Sequence, residues 1–400
     1  MGEVSIVRDG VSIPDVIVIG GGIMGCSAAY HMAKAGARVT ILERNAVASE
    51  ASGRNCGNVR VQLRHPLEIP IILEAIQRWR QLDEELGMPT EFRTTGNILL
   101  TFHEEELEGL EGEVERLRGE GVEVRLVSGQ DLREIVPGIS ETVVAGMYSA
   151  PDGHANPQLA TLAYAQAARR VGVNILTGAG VNSILVESGR VRGVDTSQGE
   201  MTAGMVLNAA GVGSPALGRS LGLDIPVTPW RYQVFITERT SPITTPFVRC
   251  TGPRLSWKQA VNGSVLVSME PAEQVGLDSS VTAARMSRPM RALTREVPAL
   301  GSLRIVRGWA GWFEMTPDDL PILGAVEGID GLFLATGFSG HGFAIAPAIG
   351  ATVAELMVEG QTSLPIHGFR PSRFQEPGYG KEKSGGKLSH LWTLSAEGTD

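Results

Sequence analysis

The chain has 400 residues, 42% of them apolar, which allows two domains and a large core. Its net charge of -9 argues against nucleic acid as a partner. Three scattered cysteines, Cys26, Cys56 and Cys250, form no metal spacing and suggest no disulfide framework, so a reducing cytoplasm is the expected compartment. Residues 1–14 lack an apolar core of signal-peptide length, and no run reads as long and apolar enough to span a membrane.

Residues 16–19, Val-Ile-Val-Ile, are β-branched and apolar throughout, as a strand buried on both faces requires. Gly20, Gly22 and Gly25 follow as G-x-G-x-x-G. In such a turn the first glycine permits the tight bend, the second admits a pyrophosphate, and the third lets helix and strand pack closely. Ala28, Ala29 and Ala33 favour a helix that Gly36 ends. A second strand at 37–43 closes with Glu43, placed about 20 residues after the glycines so that its carboxylate can accept from both ribose hydroxyls. A carboxylate there disfavours a 2′-phosphate, so the unit reads as a site for NAD or FAD rather than NADP.

Residues 51–60 are small, polar and glycine-rich and read as a loop. Residues 67–86 predict a helix with Gly87 past its end. Thr94, Thr95 and Gly96 form a turn before a strand at 97–102. Residues 104–118 predict a solvated, charged helix with Leu107, Leu110, Val114 and Leu117 on one face. Ser128 to Asp131 reads as a capping box for a short helix that stops at Pro137. Asn156 and Pro157 are the N-cap and first position of a helix to Arg170, with Leu159, Leu162, Ala163 and Ala167 inward and Gly172 beyond its end. Strands at 173–176, 181–186, 191–195 and 200–202 make a β-meander in place of a crossover helix. Residues 205–211 are a further buried strand ending in small residues suited to close ligand contact.

From Pro226 the pattern is sheet-rich: strands at 231–238, 254–260 and 264–269, with Asn262-Gly263 predicting a type I′ hairpin between the last two. A helix at 283–296 and a strand at 303–313 follow. A strand at 331–336 leads to Gly337-Phe338-Ser339-Gly340-His341-Gly342-Phe343. The last helix is expected to begin a few residues after that loop and run to about 358, offering a second positive dipole end. Beyond Phe374 the polar, glycine-rich tail reads as mobile.

Several segments in this order resemble the D-amino-acid-oxidase-like FAD oxidoreductases: the Gly20–Gly25 fingerprint, residues 51–55 (Ala-Ser-Gly-Arg-Asn), 207–211 (Leu-Asn-Ala-Ala-Gly), 309–311 (Trp-Ala-Gly) with 316–318 (Thr-Pro-Asp) and 321–324 (Pro-Ile-Leu-Gly), and 337–342. Within that family the chain looks most like the FAD-bearing β subunits of sarcosine oxidase, proline or hydroxyproline dehydrogenase and opine oxidase. The resemblance implies a mixed α/β (α+β) fold, with a glutathione-reductase-type, Rossmann-like FAD-binding domain over 14–88, 146–222 and 317–374. A sheet-rich substrate domain over 89–145 and 223–316 is inserted, and 375–400 form the tail.

By the same resemblance FAD is the cofactor, and its contacts fall to Gly20, Gly22, Ile23, Met24, Gly25, Glu43, Arg44, Ala51, Ser52, Gly53, Arg54, Asn55, Val181, Ala209, Ala210, Gly211, Gly311, Gly340, His341, Gly342, Phe343 and Ala344. Flavin N5 would accept hydride from a carbon bearing an amine, and the imine would hydrolyse. The dipole of the last helix would stabilise negative charge on the reduced ring. Gly311 stands where monomeric sarcosine oxidases carry the cysteine that bonds the flavin, so FAD is expected to be non-covalent. Ala344 stands where they carry a lysine for the substrate carboxylate, and the arginine that glycine oxidases place near Phe313 is absent.

Arg60 is the first choice for the substrate carboxylate, because a guanidinium fork matches it; a structural ion pair is the alternative. Arg64 and His65 are the substitutes, His65 also as a base. His341, between two glycines beside the flavin, reads as a backbone element more than a proton acceptor. Phe313 and Tyr232 are candidates for the substrate wall. Glu314 alternates with Phe313 and is expected to face away, Lys258 reads as a surface residue, and His154 as a turn residue. No spacing of His, Cys or carboxylates argues for a metal. The leading function is FAD-dependent oxidation of a small, secondary amino acid (sarcosine, proline or opine type), with partner subunits a further expectation. Oxidation of a 2-hydroxy acid, a primary D-amino acid or glycine, or a non-catalytic FAD-containing assembly, are the rivals.

Overall fold

A computed structural model describes residues 6–8, 11–13, 16–251, 255–269 and 276–376. The tail from 377 onward lies outside the described residues. The chain opens with a hairpin, β1 (Ile6–Arg8) and β2 (Val11–Ile13). The expected βαβ unit follows as β3 (Val16–Ile19), α1 (Ile23–Lys34) and β4 (Val39–Glu43). Then come α2 (Ala51–Arg54), β5 (Asn58–Val59) and α3 (Ile69–Leu86), the last ending at Gly87 in the left-handed region, φ 58. β6 (Asn97–Thr101), α4 (Leu107–Gly119), β7 (Val124–Ser128), α5 (Gly129–Ile135) and β8 (Ala145–Ser149) form the next stretch.

β9 (Gly153–His154) pairs with β5, and α6 (Pro157–Arg170) leads to β10 (Asn174–Thr177). The expected meander is β11 (Val181–Glu187), β12 (Arg190–Thr196) and β13 (Gly199–Thr202), followed by β14 (Met205–Asn208) and α7 (Ser214–Arg219). The sheet-rich stretch is β15 (Thr228–Arg239), β16 (Phe247–Cys250), β17 (Leu255–Gln259), β18 (Ser264–Met269), α8 (Ala283–Glu296) and β19 (Ile305–Met315). β20 (Ile322–Ala325), β21 (Leu332–Thr336) and α9 (Gly342–Glu359) complete the ordered elements.

Two large sheets carry the architecture. The six-stranded sheet runs β10-β4-β3-β14-β21-β20, parallel except for the β20–β21 pair. The eight-stranded sheet runs β19-β15-β18-β17-β16-β6-β8-β7. β3 is apolar at every position because both its faces are covered: Val16 and Val18 pack with α1, α3, α6 and α9, while Ile17 and Ile19 pack with meander residues Ile184, Val191 and Val194. The expected division at 145/146 falls at the start of β8, which pairs with β6 and β7 across its whole length, so the chain leaves the eight-stranded sheet only after Ser149.

Several local expectations are corrected. Residues 51–54 are a short helix, held by tertiary contacts that no local pattern encodes: Ser52 Oγ accepts from the Ile23 N–H (2.9 Å), Arg54 donates to the Ala310 carbonyl (3.0 Å), and Trp309 donates to the Arg54 carbonyl (2.7 Å). Ser128 precedes α5 without a side-chain capping bond. On α6 the inward residues are Ala160, Ala163, Tyr164 and Ala167, with Leu159 and Leu162 half-buried; Asn156 does cap it, accepting from the Leu159 N–H (3.2 Å). The charged helix is less solvated than its composition implies, for Glu106 and Glu113 are buried. Gly263 has φ 91 but Asn262 has no positive φ, so the hairpin is not type I′; the Gly263 N–H closes the turn on the Ala260 carbonyl.

α9 starts at Gly342, within the loop rather than beyond it. It is also long and apolar enough to cross a membrane, contrary to the reading of the sequence, and 72% of it is buried in the protein. Its apolarity is explained by packing between α1 and α3: Trp79 donates to the Ala344 carbonyl (2.8 Å) and Ser27 to the Ala346 carbonyl (3.1 Å). A Cβ on Gly350 would lie 2.0 Å from Ser27 Oγ, so the α1–α9 crossing needs glycine there.

Candidate active site

The glycine turn forms a cradle. Gly20 has φ 110, and a Cβ there would sit 2.4 Å from the Ala209 carbonyl. A Cβ on Gly25 would sit 2.1 Å from the Gly20 carbonyl. Gly22 is the N-cap of α1, with no side-chain capping bond and no acid in the first turn, which leaves the positive helix end for an anion. Glu43 closes the turn from below: Oε2 accepts from the Gly21 N–H and Oε1 from the Asn45 N–H, both at 2.7 Å. The Ala179 N–H donates to the Glu43 carbonyl (3.0 Å), and Gly180 lies against Arg44, which brings Val181 to the same end of β4. Close backbone approach, an open helix end and a carboxylate at the second strand together fit a dinucleotide.

One cavity continues from this cradle into the eight-stranded sheet. Its lining combines Gly22, Ile23, Met24, Ala51, Ser52, Asn55 and Ala209 of the cradle and its neighbours, Gly340, Gly342 and Phe343 at the start of α9, and Arg60, Arg64, Tyr232, Phe313 and Arg249. His341 caps α9 without a side-chain capping bond and no acid occupies its first turn, so a second open helix end meets the cavity. Phe313 and Tyr232 stack at 4.3 Å with 16° between planes and form a rigid aromatic wall. Tyr232 opposes Gly311 in register, and a Cβ on Gly311 would fall 2.6 Å from its hydroxyl. That hydroxyl finds no hydrogen-bond partner among the described residues, and burial pushes the phenol well above its ordinary pKa.

Behind the cavity lies a buried charge chain. Arg64 donates to Glu68 (3.2 Å) and to the Arg60 carbonyl (3.2 Å), and His341 Nδ1 meets Glu68 at 3.0 Å. Burial raises the Glu68 carboxyl, but His341, Arg64 and Arg60 outweigh it and hold it at about 2. Burial, aided by Arg64, holds the His341 imidazole below its ordinary value against the pull of Glu68. This chain ties the loop after β5 to the first turn of α9. His341 therefore turns its ring away to Glu68 while its neighbours line the cavity. His65 also misses the cavity lining: its Nδ1 accepts from the Leu67 N–H (3.2 Å) and caps the turn before α3.

Two expectations fail for a shared reason. Lys258 is 4% exposed, not on the surface; Nζ donates to the Ala155 carbonyl (2.8 Å), and burial lowers its pKa to about 8. His154 is 4% exposed and pairs in β9 rather than marking a turn; burial first, then the Lys258 charge, lowers it to about 3. Both are enclosed where the eight-stranded sheet meets the β5–β9 pair, a long-range contact. Glu314, expected to face away, instead lines the cavity, with its carboxylate engaged by the Gly337 N–H (2.8 Å) and the Thr336 hydroxyl (3.1 Å). Asp318 of the Thr-Pro-Asp segment holds Arg373 through two bonds, 2.9 and 3.1 Å. Arg249, Ser256, Ser268, Trp312 and Cys56 also line the cavity; none sits in a motif. No metal-holding cluster occurs among the described residues.

Asp152 gives a pH-dependent handle on this region. It accepts from the Val61 N–H (3.1 Å) and is wholly buried. Burial raises its carboxyl to about 7, against lowering by the Val61 bond and by Arg60 and Arg64. A raised carboxyl favours the fold fully below the unfolded value near 4 and loses that contribution as pH rises through about 7. Asp152→Asn keeps an acceptor for Val61 without the titration. The fall in Tm from pH 5 to pH 8 is expected to shrink by at least about 2 °C in the variant, measured by differential scanning calorimetry; an unchanged fall would assign the titration elsewhere.

Comparison with known proteins agrees with this geometry. Residues 15–356 match the family described as DAO, FAD dependent oxidoreductase. The chain is 25% identical over 383 residues to mitochondrial dimethylglycine dehydrogenase of Rattus norvegicus, covering 90% of this chain but 45% of that protein. Thus it spans about half the length of that curated relative. It is also 25% identical to the sarcosine oxidase subunit beta of Rhodobacter capsulatus, covering 90% and 89% of the two chains. Among solved structures, L-proline dehydrogenase from P. horikoshii superimposes with a TM-score of 0.87 at 30% identity, covering 91% of this chain and 98% of that one. Glycine oxidase from Geobacillus kaustophilus gives 0.85 at 25% identity, covering 89% and 98%. The chain belongs to the DAO family of FAD-dependent oxidoreductases, and FAD is the dinucleotide its cradle is built for.

Proposed function

We propose that the protein oxidises the C–N bond of a small, secondary amino acid, with FAD held non-covalently. The observation that carries this reading is that Arg60 enters the same cavity as the dinucleotide cradle. FAD, when bound, supplies the hydride acceptor, and the imine product hydrolyses; the chain supplies binding, orientation and a dry site. Arg60 offers the planar fork that a carboxylate matches. The Phe313–Tyr232 stack gives the same cavity a rigid aromatic wall, fixing the amine-bearing carbon and excluding water. The open ends of α1 and α9 place positive partial charge toward the cavity. Relatives named for dimethylglycine, sarcosine, proline and glycine support the substrate class.

The test is anaerobic titration of the yellow protein with sarcosine, proline, hydroxyproline, N-carboxyalkyl amino acids and 2-hydroxy acids, read as loss of flavin absorbance. Secondary amines are expected to bleach it. Bleaching by 2-hydroxy acids alone would replace the reading, and inertness to all of them would leave an assembly or electron-transfer role. Because a Rhodobacter capsulatus relative is named as a subunit, we further propose that partner subunits receive the electrons, so that an artificial acceptor turns over faster than oxygen. The three cysteines are free thiols, which supports a cytoplasmic setting.

The non-covalent assignment has its own check. Gly311 offers no nucleophile, and the Tyr232 ring covers the position. Acid precipitation is expected to release all the FAD into the supernatant and leave a polypeptide of unmodified mass. Flavin retained on the precipitated chain would refute it and direct attention to Cys56, which lines the cavity.

A further inference from the structure

The sheet wall of the cavity carries a polar row that the amine chemistry leaves unused. Arg249 on β16 pairs with Ser256 on β17, and Ser256 pairs with Ser268 on β18. All three line the cavity. Cross-strand partners lie about 5 Å apart, so one guanidinium and two hydroxyls share a single surface. Val248 and Cys250, the strand neighbours of Arg249, point the other way into the apolar core under α8. Arg249 is 4% exposed, so its charge is largely withdrawn from solvent.

The charge balance of the walls is one-sided. Among the described lining residues, three guanidiniums (Arg60, Arg64 and Arg249) stand against one carboxylate, Glu314. That carboxylate is already committed to the Gly337 N–H and the Thr336 hydroxyl. Glu68 answers Arg64 from behind the wall. A guanidinium has five donors, so bonds made within the protein leave others for a ligand.

We infer that the substrate is a dicarboxylate: an amino acid whose nitrogen bears a second, carboxylate-ended arm. Arg60 takes the amino-acid carboxylate, and Arg249 with the Ser256 and Ser268 hydroxyls takes the other. The aromatic wall then holds the central C–N bond between two charged anchors. This assignment rests on the amine-oxidising reading above for its central nitrogen, but the second anion site does not.

The test uses the holoprotein and two matched pairs. Diglycolate and methoxyacetate are ethers without an oxidisable amine; their binding is read as perturbation of the flavin spectrum. N-(carboxymethyl)glycine and its monoamide, N-(carbamoylmethyl)glycine, are nearly isosteric; they are read by anaerobic flavin reduction. In each pair the dicarboxylate is expected to win by about 30-fold or more in apparent dissociation constant. Arg249→Gln is expected to cut that preference to within about threefold. Should that variant fold poorly, Ser256→Ala with Ser268→Ala, which keeps the charge, is expected to lower the preference about threefold to tenfold. A preference below threefold in the parent protein, or an undiminished one in Arg249→Gln, overturns the inference. Loss of FAD from folded Arg249→Gln also overturns it and assigns the guanidinium to the cofactor. Tight diglycolate binding with no amine reducing the flavin keeps the anion site and removes the amine reading; reduction by amines without a dicarboxylate preference does the reverse.

Discussion

Gly22→Val is expected to give a folded protein that carries no FAD. The three glycines of the turn differ in what a side chain would meet. At Gly20 and Gly25 a Cβ would strike backbone, the Ala209 carbonyl at 2.4 Å and the Gly20 carbonyl at 2.1 Å, so substitution there damages the sheet–helix junction itself. At Gly22 the nearest atom is Ser52 Oγ at 2.9 Å, the end of a small side chain that can rotate. The backbone at Gly22, φ -76 and ψ 176, suits a β-branched residue. The polypeptide therefore tolerates valine, while the space at the open end of α1 does not stay free for a pyrophosphate. Flavin absorbance per chain, with circular dichroism on the same sample, reads both halves of the expectation. Full FAD occupancy in a folded Gly22→Val protein would mean that the cradle binds its ligand elsewhere.

Arg60→Ala is expected to raise the apparent dissociation constant of amino-acid substrates by at least tens of fold while FAD content is retained. Truncating one partner of a desolvated, charge-assisted pair removes about 2–5 kcal/mol, and each 1.4 kcal/mol is tenfold. Arg60→Lys recovers only part, since an ammonium lacks the planar fork. Anaerobic titration together with flavin content separates three results. A change within about twofold would transfer the role to another cation of the cavity. Loss of FAD would place Arg60 in the cofactor site. A large loss of affinity with FAD intact is the expected result.

The cradle was legible in the sequence because its determinants are local. Val16 to Glu43 contains the strand, the glycines, the helix and the acid in one run, and every one of them takes the expected place. α8 was legible to the residue, since Thr282 caps it through its own hydroxyl at 3.3 Å from the Arg285 nitrogen. Where sequence reading missed, the deciding contact came from far along the chain. α2 winds because residues over 250 positions away bond to Arg54, through Ala310 and Trp309. Lys258 is buried because Ala155 accepts from it, 103 positions upstream. Arg249 sits in Phe-Val-Arg-Cys, a stretch with no motif, and only strand pairing shows that it shares a wall with two serines. His341 sits between two glycines that line the cavity, yet its own ring is turned away from it by the carboxylate of Glu68, 273 positions away.

The same long-range pairing sets a clock on biosynthesis. β3 finds its second neighbour only in β14, and β14 finds its own in β21. At about 5–20 residues per second, the roughly 300 residues between β4 and β21 take on the order of 15–60 s to emerge from a ribosome. For that interval the nascent chain displays a complete fingerprint turn without the helix end that completes the cavity, and for roughly the first half of it the Ala209 carbonyl that Gly20 packs against is missing as well. Cofactor capture is therefore one of the last events in maturation. A ligand that binds the finished fold alone stabilises it by mass action, so the supply of FAD in the cell would govern how many newly made chains survive quality control.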